Sequence, residues 1–302
     1  MQTKRSVTNS IKQPFTLRRE NHAAMKLPAA STLIAAFGLI SMLVAMSGTA
    51  QAQGRDDKPP VVVQAAGPDA SSIQGALDSF RALLGDNNLN NPGPIQKGRR
   101  EINWDGGNPN VLDTTAPVNP FLTFLNTRGS QFKTPGVGLS QAPPSGGPQG
   151  GLAVLFGNPT YSKIFRAFSN SRLFTPVGSN ITEASFAIPG TNGLAPATVK
   201  AFGAVFTDVD QPDGRPGPSV SNRTSSTFIE YFDANGRLLF TSSVPASPGN
   251  GNFSFFGIVF DDARIASVRI KTGDVAPGAN DDRRHDIVMM DDFVYSEPQL
   301  LK

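Results

Sequence analysis

Thr227-Phe228-Ile229-Glu230-Tyr231-Phe232-Asp233-Ala234-Asn235-Gly236-Arg237-Leu238-Leu239-Phe240-Thr241 decides the fold class. Two runs of β-branched and aromatic residues flank an Asn-Gly pair, which tolerates the positive φ angles of a tight hairpin turn. Outward from this hairpin the two-residue period recurs. In 180–188, Ala184, Phe186 and Ile188 fall on one face and Glu183 and Ser185 on the other. Similar runs occupy 198–206, 227–232, 237–241, 253–260, 264–272 and 286–295, separated by turns rich in Gly, Pro and Asn. Short strands at this spacing predict a mainly β protein, an antiparallel β-sandwich of jelly-roll type. The segment Phe253-Ser254-Phe255-Phe256-Gly257-Ile258-Val259-Phe260 is apolar on both faces, so it belongs at the centre of a sheet or under a helix. One amphipathic helix is expected: Ser71 or Ser72 can cap it, Ile73, Ala76, Leu77, Phe80, Leu83 and Leu84 recur at helical spacing, and Gly85 can close it.

The rest of the chain divides by composition. Residues 1–52 hold six basic side chains and one acid, then the apolar stretch 33–46 and the cleavage pattern Ala50-Gln51-Ala52. That is the order of a secretory signal peptide, with Met25 as the expected true start. The apolar run is shorter than the roughly 20 residues that span a bilayer, so no transmembrane segment is expected once the signal is removed. The expected location is therefore secreted, periplasmic or extracellular. Residues 53–70 read as a flexible lead-in. Residues 71–133 read as the helix plus the Trp-containing segment packed on the sandwich, 134–151 as a Pro/Gly-rich loop, and 152–302 as the sandwich core.

Charge and residue types exclude several functions. Of the 302 residues none is cysteine, and the formal net charge of +3 comes from the leader, since the other 250 residues carry 21 basic and 23 acidic groups. Nucleic-acid binding is not expected. Thiol nucleophiles, zinc–cysteine sites and iron–sulfur clusters are excluded, and His285 is the one histidine after the leader. A Ser-His-Asp triad would have to use it, without any Gly-x-Ser-x-Gly turn.

Carboxylates carry the remaining chemistry. Asp208 and Asp210 follow a strand directly, while Asp291 and Asp292 interrupt the apolar run Ile287-Val288-Met289-Met290. Adjacent carboxylates in an apolar strand are costly unless they are paired, hydrogen-bonded or bound to a cation, and in a regular strand one of the two must point inward. Asp208, Asp210, Asp291 and Asp292 are therefore the expected metal ligands, with structural Ca2+ as the guest because it accepts several oxygen donors with loose geometry. The plainer reading pairs the acids with Arg264, Arg269, Arg283 or Arg284. Trp104, with Glu101, Asn103 and Asp105 beside it, is the expected ligand-binding group, an aromatic that can stack on a sugar. Arg99 and Arg100 could meet an acidic glycan or phosphate. Packing is the competing role for Trp104. Glu101, Glu183 and Glu230 could supply the two carboxylates of a glycosidase.

Several segments carry a family resemblance: Gly98-Arg99-Arg100-Glu101-Ile102-Asn103-Trp104-Asp105-Gly106, Arg172-Leu173-Phe174-Thr175, Gly178-Ser179-Asn180-Ile181-Thr182, 202–210, 231–236 and Met290-Asp291-Asp292-Phe293-Val294-Tyr295. With these the chain resembles a family of exported bacterial proteins of uncharacterised function, some of which end in a PEP-CTERM sorting tail. The chain ends Tyr295-Ser296-Glu297-Pro298-Gln299-Leu300-Leu301-Lys302, so sorting by that tail is not expected. The later half is also similar, more weakly, to jelly-roll carbohydrate-binding modules, whose last strand often carries an acidic pair near a structural calcium. The function expected is an exported, non-catalytic β-sandwich, calcium-stabilised and binding a glycan or cell-surface polymer. The alternatives are a secreted polysaccharide hydrolase or lyase, and a structural component of the matrix or envelope.

Overall fold

The sandwich is built from two sheets, each with every strand pair antiparallel. The computed structural model describes residues 58–106, 116–210, 225–278, 281–282 and 285–301; the leader, where a signal peptide is expected, lies outside them. The first sheet runs β1 (Val61–Gly67), β11 (Phe253–Val259), β8 (Ala201–Thr207), β13 (Met289–Ser296), β5 (Leu173–Val177), β4 (Gly138–Ala142), with β2 (Arg99–Ile102) also pairing β13. The second runs β10 (Leu238–Ser243), β9 (Phe228–Phe232), β12 (Ser267–Lys271), β6 (Ile181–Ala187), β7 (Pro196–Thr198), β14 (Gln299–Leu300), with β3 (Ser130–Lys133) joined to β6.

Alternation produces the core. Phe202, Ala204 and Phe206 of β8, Phe256 and Ile258 of β11, and Phe293 and Tyr295 of β13 meet Ala184, Phe186, Ile229, Tyr231, Val268 and Ile270 of the second sheet. The opposite face of β8 and β11 is apolar too, because helix α1 (Ala70–Leu84) covers it. Ile73, Leu77, Phe80 and Leu84 pack there on Ala201, Val205, Phe253, Phe255 and Val294. Gly203 and Gly257 face each other in the β8–β11 register. A Cβ at Gly257 would come within 2.8 Å of the Phe80 ring, so glycine is what lets the helix approach this closely.

Four expectations are corrected. The residues assigned to a flexible lead-in contain β1, whose Val61-Val62-Val63 run satisfies its backbone against β11. The stretch assigned to a Pro/Gly-rich loop contains β4, paired with β5 and wholly buried. Small Gly and Ser residues do not prevent this, since the ladder uses only backbone groups and Val118 bridges Leu139 on the other side. The segment 71–133 is not merely packed on the sandwich, because β2 and β3 are strands of its two sheets. Finally, Asp69 caps α1, accepting from the Ser72 N–H at 2.9 Å and from the hydroxyls of Ser71 and Ser72.

Candidate functional site

The two acids of β13 lie at a β-bulge. Met290 pairs with Phe206 and Phe293 with Ala204, so Asp291 and Asp292 together stand opposite Val205 alone. An extra residue breaks strict alternation and re-aims side chains. Both carboxylates consequently turn to one side and meet the Ser169 hydroxyl, Asp292 Oδ1 at 2.6 Å and Asp291 Oδ1 at 3.2 Å. The regular strand expected from the sequence, with one acid in and one out, is replaced by a pair that acts together. Asp291 Oδ2 also accepts the Phe168 N–H at 2.6 Å.

The Trp-containing segment completes this cluster. Trp104 has φ +63, a left-handed turn that sets the main chain of Asn103 and the side chain of Asp105 toward the same place. Asn103 O lies 3.3 Å and Asp105 Oδ2 3.2 Å from Ser169 Oγ. Asp105 is held by its other oxygen, which accepts the N–H groups of Ser171 and Arg172 at 3.0 Å each. Four acceptor oxygens thus crowd one hydroxyl that has a single proton to give. Burial first, then the neighbouring Asp292 charge, pushes the Asp291 carboxyl well above its ordinary range. Burial raises Asp292 as well, against the Ser169 hydrogen bond and the Arg81 charge 3.6 Å away, which pull it down.

Trp104 itself is core, a correction to its expected role as a sugar platform. It is fully buried, stacked on Phe174 with ring centroids 3.8 Å apart and edge-on to Phe121, Phe124 and Phe293. Its indole N–H donates at 3.0 Å to Asp291 O, so its polar end fixes the bulge. Glu101 is bound by Arg81 at 2.8 Å and by Arg99 at 2.6 Å. Arg100, offered as an anion contact, is buried in a two-point pair with Glu297 at 2.5 and 2.7 Å. Of the expected ligand-binding group, Glu101, Asn103 and Asp105 therefore gather beside Asp291 and Asp292 rather than around an open aromatic face.

Asp208 and Asp210 do not join them. They lie where β8 ends, with Asp281 and Asp286, whose charges act on Asp208 together with its burial. The expected four-ligand set is therefore split between two places. Ser169 at the first, and Asp281 and Asp286 at the second, were missed from the sequence. A lone serine gives no signal, and Asp281-Asp282-Arg283-Arg284-His285-Asp286 reads as a solvated charged loop. Among the described residues, no group of three or more Asp, Glu or His side chains stands ready as a metal cage. The other acids close ion pairs: Asp262 with Arg264, and Glu183 and Glu230 with Arg269 at 2.9 and 3.7 Å.

Comparison of the chain with protein-family models, with curated proteins and with solved structures gives no match. No helix among the described residues is long and apolar enough to cross a membrane.

Proposed function

We propose that this is an exported, non-catalytic β-sandwich of jelly-roll type whose bulged strand is held by a structural Ca2+, and that it serves outside the cytoplasm as a binding or scaffolding module. The observation that carries the reading is the crowding at Ser169. Asp105, Asp291, Asp292 and the Asn103 carbonyl lie 2.6–3.3 Å from one hydroxyl oxygen. Oxygens that share a calcium ion, each about 2.4 Å from it, stand at about this spacing from one another. Calcium would take Asp105, Asp291, Asp292, Ser169 and the Asn103 carbonyl, and would offset charge that Arg81 neutralises only in part. Such a cation would have to draw together carboxylates that do not form a closed cage in this structure. The signal-peptide pattern of the leader supports the location.

The non-catalytic part is supported by how the glutamates are engaged. Glu101 lies between two arginines on the first sheet, and Glu183 and Glu230 flank Arg269 on the second. Each of these carboxylates is committed to an arginine in the structure. A glycan or surface polymer, if bound, has a better platform than Trp104 on the outer face of the second sheet. There Phe228 and Phe232 are half-buried under Lys271 and Arg269, and a shallow depression is lined by Lys133, Glu183, Phe232 and Arg269.

Thermal melting in excess calcium and in EDTA tests the reading. Calcium is expected to raise the midpoint, and Asp292→Asn to lose most of that rise. Identical midpoints in the two buffers would overturn it.

A further inference from the structure

The aspartates at the end of β8 have their own geometry, independent of the bulge. Asp208 is fully buried with φ +70, a left-handed conformation that Asp tolerates better than most residues. Its Oδ1 accepts the Gly251 N–H at 3.1 Å, and its Oδ2 has no hydrogen-bond partner although it is buried. A buried oxygen in that state is costly and calls for a partner. The side chain that faces it belongs to Asp281, another carboxyl, which can bond to it only while one of the two keeps a proton. The neighbouring acids are anchored in the same one-sided way. Asp210 Oδ1 accepts the Gly249 N–H at 3.0 Å and Asp281 Oδ1 the Ile287 N–H at 3.3 Å, leaving the second oxygen of each without a donor among the described residues. Asp286 is tied to the group through the Asp210 N–H at 3.3 Å and the Ser226 hydroxyl at 2.6 Å.

Among the described residues these carboxyls are short of positive charge. Burial and mutual repulsion push Asp208 up to about 9, Asp286 to about 7 and Asp281 to about 6. Among the described residues no basic side chain pairs with any of the four. His285 lies against Asp274, at 3.7 Å. Asp210 and Asp281 are only partly buried, which gives a small ion a way in from solvent.

We propose that Asp208, Asp210, Asp281 and Asp286 form a second site for a divalent, oxygen-preferring cation of the calcium class, separate from the bulge. Backbone amides anchor one oxygen each of Asp208, Asp210 and Asp281, and the Asp210 N–H and Ser226 hold Asp286; the four do not stand as a closed cage, so the ion would have to draw their free oxygens together. The donors are all oxygens, which favours calcium over metals that need nitrogen or sulfur.

Equilibrium dialysis of the EDTA-treated full chain against CaCl2, near pH 8, tests this. Asp208→Asn and Asp281→Asn are each expected to lose the same one bound equivalent, while Asp291→Asn leaves that equivalent in place. Melting in EDTA provides the control for folding. Asp208→Asn is expected to melt no lower than the parent, because the amide can donate to Asp281 and removes a like charge. If either variant binds the full complement of calcium, the acids hold a shared proton in place of an ion and the proposal falls. Loss of binding confined to Asp291→Asn would leave the bulge reading standing and remove this one.

Discussion

The two acidic clusters sit on the same pair of neighbouring strands and are held in opposite ways. At the bulge, Asp291 and Asp292 have donors: the Ser169 hydroxyl, the Phe168 N–H and, more distantly, Arg81. At the end of β8, Asp208 keeps an oxygen without a donor and, among the described residues, the neighbours that act on it are other carboxylates. The first cluster is over-supplied with acceptors but anchored by an aromatic core; the second is anchored by backbone amides but, among the described residues, short of counter-charge. Burial of a carboxylate is thus a different problem in each: geometry at the bulge and charge at the strand end.

Removing the anchor of the first cluster should have the largest effect. Trp104→Ala empties a site packed by five phenylalanines and frees the Asp291 carbonyl, so a loss of about 3–5 kcal/mol is expected in urea unfolding. Trp104→Phe, which keeps most of the packing and deletes the N–H, should cost about 1–3 kcal/mol. Equal losses would mean that the indole donor contributes nothing to the bulge.

The next contrast is one of sign. Ser169→Ala takes away the one hydroxyl shared by the carboxylates at the bulge and should destabilise the metal-free protein by about 1–3 kcal/mol. Asp208→Asn should stabilise it by about the same amount above about pH 9, where the Asp208 carboxyl no longer keeps a proton to donate. If both changes destabilise, the two clusters do not differ in the way their hydrogen bonds imply.

pH sharpens the contrast. The folded carboxyls of Asp281, Asp286 and Asp208, at about 6, 7 and 9, all lie above the reference value of 3.8. The folded state therefore holds more protons than the unfolded one, and stability contributed by these groups is lost as pH rises from about 4 through 9. Metal-free protein should melt higher at pH 5 than at pH 8, and the calcium-induced rise should grow over the same interval. A midpoint that climbs with pH in EDTA would reverse the sign. Asp210, Asp274 and His285 share this environment, so the curve belongs to the group and not to one residue.

The smallest effect is expected at the surface. Glu183→Gln breaks the pair with Arg269, whose partners are both nearly half exposed, and should change stability by less than about 1 kcal/mol. A larger loss would assign the charged row on the second sheet a greater structural part than solvent screening allows.

These contrasts also mark where the sequence could be read. The two-residue period located β6, β8, β9 and β12, and the double-sided apolarity of 253–260, which located β11, follows from α1 on one face and the second sheet on the other. β4 was hidden because a Gly–Ser–Gln strand has no side-chain period, only backbone partners. The bulge was hidden because alternation assumes a regular strand. In hindsight the adjacent pair Asp291-Asp292 in an apolar run is itself a sign that the period breaks there. The convergence of Asp105 with Asp291, and of Asp208 with Asp281, depends on which strands pair, and no local pattern encodes that. Trp104 shows the same limit in reverse: polar neighbours in sequence suited a surface aromatic, whereas its neighbours in space are phenylalanines.

Calcium in the bulge is the claim on which the functional reading stands, and an anomalous-difference map from crystals grown in calcium tests it most directly. The account expects a peak bounded by Asp105, Asp291, Asp292 and the Asn103 carbonyl. A map without density there, with the Ser169 hydroxyl still bonded to Asp292, would contradict it.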